Sequence, residues 1–192
     1  MELKKVKYSS AVEVCADIEL SEEATELLSG GQSPSAFLQL LLDGEMTQDA
    51  IRFLARSLPR REATWWACLS ARQCIEDSTD KELIAALDLA EQWVYKPTDD
   101  LRYAAYQATE KIDKENPMYW AAMASFWSGG SMSPPDAPEV PPADHICSLA
   151  VSGAVSLAGL SDDVKESEKK YQLYFKQGVA IANGENAKDV KA

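Results

Sequence analysis

The sequence predicts an all-α protein, about eight helices in an antiparallel helical array with one long proline-rich loop. Three observations carry that expectation. Apolar residues recur at helical spacing through most of the chain. Capping residues and prolines precede these stretches, and glycines follow several of them. Five of the nine prolines crowd into residues 128–143, so helix breakers are sparse elsewhere.

Residues 1–20 alternate weakly, with Val12, Val14 and Ile18 among polar neighbours, and suggest an N-terminal arm or a short strand. From residue 21 the pattern turns helical. Ser21 with Glu22 and Glu23 opens a helix that Gly30-Gly31 stops. Ser33-Pro34 opens a second, closed by Asp43-Gly44, and Thr47 reads as the cap of a third. Pro59 opens a fourth over about 59–77, Asp80 a fifth, Pro97-Thr98 a sixth and Asn116-Pro117 a seventh. The three proline-led helices carry aromatics near their starts: Trp65-Trp66, Tyr103 with Tyr106, and Tyr119-Trp120. Residues 128–143 read as an extended, polyproline-like loop, long enough to be functional. A small-residue helix over 143–160 and an amphipathic helix over about 162–183 follow, then a frayed tail at 184–192. The organisation expected is an arm at 1–20, a single helical domain at 21–183 and the tail.

Composition narrows the function. The 192 residues carry a net charge of −12, which disfavours nucleic acid and anionic membrane and favours a basic or amphipathic protein partner. The longest apolar run, 146–160, is shorter than the ~20 residues a membrane helix needs. No secretory signal is recognisable, and the four cysteines form no CxxC pair. A cytoplasmic protein without cofactor or metal is expected.

Against the acidic background, five of the six arginines lie between Arg52 and Arg72, with Glu62 the sole acid among them. Arg56 sits near a helix C-terminus, where a cation complements the macrodipole. Arg60 and Arg61 fall in a first helical turn, where cations are unfavourable by up to ~1 kcal/mol. They are offset either by carboxylates of this chain (Glu62, Asp49 or distant acids) or by an acidic patch on a partner. Trp65 and Trp66 point about 100° apart on a helix. Both can fill a helix–helix seam, or one can anchor a partner, with Arg61 over Trp65 supporting either. The single histidine, His145, follows Asp144, and no nucleotide-binding, hydrolase or metalloprotease motif is present. Gly129-Gly130 reads as a helix cap.

The segments Pro59-Arg60-Arg61-Glu62-Ala63-Thr64-Trp65-Trp66-Ala67 and Phe126-Trp127-Ser128-Gly129-Gly130-Ser131-Met132-Ser133-Pro134-Pro135 resemble signatures of an uncharacterised family of small bacterial all-helical proteins. Ala150-Val151-Ser152-Gly153-Ala154-Val155 is similar to a third. Members of that family are often encoded beside type VI secretion genes. The resemblance spans about residues 50–160 and implies a secretion accessory in the cytoplasm, without supplying catalytic residues. The resulting expectation is a non-enzymatic adaptor or chaperone for a secreted effector. Its partner-binding residues are Arg56, Arg60, Arg61, Trp65, Trp66, Gly129, Gly130, Pro134 and Pro135. An immunity protein that neutralises a toxin, and a small enzyme using Asp144 and His145, are the alternatives.

Overall fold

The computed structural model describes residues 2–134 and 136–190 and contains ten α-helices, with no strand among the described residues. The helix opened by Ser21 is short, and one unexpected short helix forms before it, at Ala11–Val14. The chain packs as two compact units. The first comprises residues 1–59 and 161–192, the second residues 60–160.

The first unit holds α1 (Ala11–Val14), α2 (Glu22–Glu26), α3 (Pro34–Asp43), α4 (Thr47–Ser57) and α10 (Val164–Asn183). The strand or arm expected at its start is α1 and a following 3-10 turn, Cys15–Asp17. Ser10 caps the Glu13 amide, and the Glu13 carboxylate returns to the Ser9 amide at 2.9 Å and hydroxyl at 2.8 Å. Such reciprocal capping overrides a weak alternation. Ala11 and Val14 point inward, one turn apart, while Val12 is exposed. Thr47 is the first residue of α4 rather than its cap; Met46 holds that position without a side-chain bond. Phe37 of α3 meets Phe53 of α4 edge-on at 5.0 Å. The frayed tail is also corrected over 184–190. Gly184, at φ 81°, closes α10 in the left-handed conformation. Asn186 then caps a 3-10 turn, Ala187–Asp189, that buries Ala187.

The second unit is built from α5 (Arg60–Arg72), α6 (Lys81–Tyr95), α7 (Asp99–Ala108), α8 (Pro117–Phe126) and α9 (Ile146–Gly159). Pro59 lies just before the helix it was expected to start, and α5 stops at Arg72. Helix α8 packs against all four of the others. Its sequence dictates that place: Met118 and Ala121 to Phe126 are all buried, and a helix apolar all round must be surrounded. The small residues of α9 let it approach closely, and Gly153 lies under the Trp120 indole, where a Cβ would sit 3.2 Å from the ring. A central helix creates a specific problem at its end. Its last carbonyls emerge among neighbours rather than into water and need donors.

Candidate protein-docking site

The donors at the end of α8 come from side chains. The Cys147 thiol reaches the Ala124 carbonyl at 3.4 Å, and the Ser128 hydroxyl reaches the Ser125 carbonyl at 2.7 Å. Arg102 of α7 donates from Nη1 to the Phe126 carbonyl at 3.1 Å. Its Nη2 bonds the Ser131 carbonyl at 2.9 Å, and its Nε bonds Asp99 at 2.9 Å. The guanidinium also lies over the rings of Tyr103, at 4.6 Å, and Phe126, at 5.1 Å. Arg102 is only 3% exposed, so its charge depends on these acceptors and rings. A planar fork with five donors suits such a hub.

Arg102 and Tyr103 together determine the course of the chain after α8. The Tyr103 hydroxyl donates to the carbonyls of Ser131 and Ser133. Gly130 takes φ 65°, and a Cβ there would come within 2.7 Å of Arg102 Nη2 and 2.9 Å of Asp99 Oδ1. Only glycine satisfies both demands without strain. The extended, polyproline-like course expected for 128–143 is therefore corrected: the segment folds back on itself. The Met132 amide bonds the Val140 carbonyl at 2.8 Å, and the Val140 amide returns to Ser131 Oγ at 3.1 Å. The result is a compact loop with its ends together. Its outer residues, Pro134 and 136–141, are exposed, whereas Pro142 is buried.

Arg60 holds the other limb. Its Nη1 donates to the Ser128 carbonyl at 3.0 Å and its Nη2 pairs with Asp144 at 2.7 Å. Arg61 sends Nε to the Val94 carbonyl at 2.6 Å, in the last turn of α6. The two cations that looked misplaced at the start of α5 thus deliver their charge to carbonyls at the C-terminal ends of other helices, Val94 in the last turn of α6 and Ser128 just past α8, where it is favourable. Of the two alternatives the sequence leaves open, intramolecular acceptors are present for both cations.

The remaining predicted residues scatter. Arg56 pairs with Asp17 at 2.7 Å, donates to the Tyr8 hydroxyl and lies over its ring, all within the first unit. Arg52 pairs with Asp49 at 3.4 Å, and Arg72 with Asp88 at 2.7 Å and Glu91 at 2.9 Å. Trp66 is fully buried and cannot anchor a partner. Trp65 is half-buried and packs edge-on to the exposed Tyr95 at 5.7 Å. Gly129 has open space around its Cα, and Pro134 is exposed; Pro135 lies outside the described residues. Asp144, whose side chain is 80% exposed, is held by Arg60, and His145 is the exposed residue preceding α9. Burial pushes the Cys15 thiol up to about 11 and the Cys68 thiol higher still, away from the thiolate form a nucleophile needs. Of the predicted residues, the fold brings together Arg60, Gly129, Gly130, Pro134 and Asp144 around one loop.

Residues outside the sequence-based list complete the site. Arg102 is the one arginine away from the cluster, three residues after Asp99, a spacing that pairs charges on a helix. Trp120 and Trp127 stand seven apart, two turns on one face, with ring centroids 6.4 Å apart. Among the described residues, no group of three or more His, Cys, Asp or Glu side chains is placed to hold a metal, and no helix is long and apolar enough to cross a membrane.

The chain matches a family of unknown function (DUF6931) over residues 37–182 and belongs to that family. No curated protein and no solved structure matches it.

Proposed function

We propose that this protein is a non-enzymatic protein-binding accessory, an adaptor or chaperone, and that it docks its partner through the folded loop at 128–142 rather than through the arginine pair. One observation carries this reading. The loop backbone is pinned by Arg60, Arg102 and Tyr103, while Pro134 and 136–141 are exposed. A recognition loop already ordered before binding avoids much of the entropy cost of association. The engagement of Asp144 by Arg60 and the raised thiols speak for binding over covalent chemistry. The partner proposed is an effector of a bacterial type VI secretion system, or its loading component, met in the cytoplasm; this part rests on the three sequence signatures.

Pull-down from a producing strain tests it. Wild type and Arg60→Ala/Arg61→Ala recover the same secretion component, and replacement of 132–140 by a Gly-Ser linker loses it. Recovery of no secretion component by wild type overturns the proposal. Protection of cells from a neighbouring toxin would replace it with an immunity role.

A further inference from the structure

Among the described residues, five of the six arginines pair with a carboxylate of the chain. Arg61 is the exception, in a protein of net charge −12. It is exposed, and its hydrogen bond within the chain runs from Nε to the Val94 carbonyl at 2.6 Å. That acceptor is neutral, so it orients the cation without cancelling its charge. The bond holds the guanidinium against the last turn of α6 and leaves the donors of Nη1 and Nη2 to a ligand. A guanidinium held in this way is shaped for the two oxygens of one carboxylate.

The groups around Arg61 define what that carboxylate carries. Tyr95 directly follows Val94 and is 62% exposed. Trp65, one turn beyond Arg61 on α5, is half-buried and meets Tyr95 edge-on at 5.7 Å. The fork therefore adjoins an aromatic corner that keeps part of its surface in water. Lys96 comes next in the chain, exposed and, like Arg61, in no ion pair among the described residues. Nearby acids do not cancel these charges. Glu62 already interacts with another residue of the chain, and Asp99 is held by Arg102. Asp100 alone stands against Arg61 and Lys96, so this corner is positive where the chain as a whole is strongly negative.

We propose that Arg61, Lys96, Trp65 and Tyr95 form a binding site for a carboxylate carried next to an aromatic group. An N-acylated aromatic amino acid has that chemistry, and so does a protein chain that ends in one. The Arg61 fork takes the two oxygens, Lys96 adds a second cation, and the ligand ring lies against Tyr95 and Trp65. This goes beyond the proposed function and is independent of the docking assigned to the 128–142 loop.

Isotope-labelled full-length protein is titrated with N-acetylphenylalanine as the free acid, with its amide, and with inorganic phosphate at matched ionic strength. The Arg61 Nε–H and Trp65 indole N–H resonances are followed throughout. The acid shifts both, with a Kd on the order of 1 mM, as one exposed fork and part of a ring surface allow. The amide binds about tenfold more weakly or not at all, and phosphate moves the Arg61 signal alone. Arg61→Lys keeps the charge, loses the fork and weakens binding of the acid about tenfold. Tyr95→Ser, at an exposed position, weakens it severalfold, whereas Lys111→Gln, an exposed cation on another turn, leaves it unchanged. A six-residue peptide ending in phenylalanine separates the two sources. Tighter binding than the single acid assigns the site to a chain end, and equal binding assigns it to a small acid. Equal affinity for acid and amide, equal shifts of both signals by phosphate, or equal effects of Arg61→Lys and Lys111→Gln overturns the site.

Discussion

The two arginines that hold the loop after α8 do so under opposite conditions. Arg102 is nearly enclosed, bonds two carbonyls and one carboxylate, and lies against the Tyr103 and Phe126 rings. Arg60 bonds one carbonyl and one carboxylate at the surface, with side chains 37% and 80% exposed in the pair. The distances are alike, so distance does not rank them. Burial does: removing Arg102 strands acceptors away from water, whereas removing Arg60 leaves groups that water can reach. Arg102 therefore fixes the start of the loop, and the exposed Arg60–Asp144 pair adds little to its stability.

Substitutions that break this contrast fall in a definite order. Arg102→Ala has the largest effect, destabilising by roughly 3 kcal/mol, because the buried Phe126 carbonyl loses its donor at a cost of ~1–3 kcal/mol and the contacts of the guanidinium with the Tyr103 and Phe126 rings go with it. Denaturant unfolding measures it, as a shift in midpoint without a change in slope. Gly130→Ala follows at about 2 kcal/mol, combining a left-handed backbone with a Cβ driven against Arg102 and Asp99. The two do not add in a double variant, since shortening Arg102 relieves the Gly130 clash. Arg60→Ala costs under about 1 kcal/mol, with Asp144→Ala similar, as exposed pairs generally do. Raising the salt concentration narrows that small difference further.

An effect silent at neutral pH concerns Cys15, whose thiol burial holds near 11 against an ordinary value of 9.0. The folded chain keeps this proton longer than the unfolded one. The associated stability is thus complete below about pH 9 and declines as pH rises toward 11, where the unfolded chain ionises first. Slow alkylation of Cys15 in the native protein at pH 8, becoming fast on unfolding, checks it.

Much of the fold was legible because helix boundaries rest on local chemistry. Ser21, Ser33, Thr98 and Asn116 each bond an amide of the turn they precede. The N-terminal segment was not legible, since reciprocal bonds between Ser9, Ser10 and Glu13 decide it against a pattern that alternates. The site was half legible. The arginine cluster stood out by charge, yet its members separate between two units and each finds an acceptor in the chain. Arg102 was silent because its importance comes from sitting beside the end of α8, a neighbour twenty-four residues away. The loop failed for a related reason. Proline content predicts an extended chain, but Ser131, Tyr103 and Arg102 supply the bonds that fold it back.

Backbone amide exchange at Met132 and Val140, in wild type, Arg102→Ala and Arg60→Ala, tests most directly whether the buried arginine folds the loop. Both amides are bonded within the loop. They should exchange slowly in wild type, almost as slowly in Arg60→Ala, and near the rate of an unstructured peptide in Arg102→Ala, with the helices still protected. Fast exchange in wild type, or equal release by the two substitutions, would contradict it.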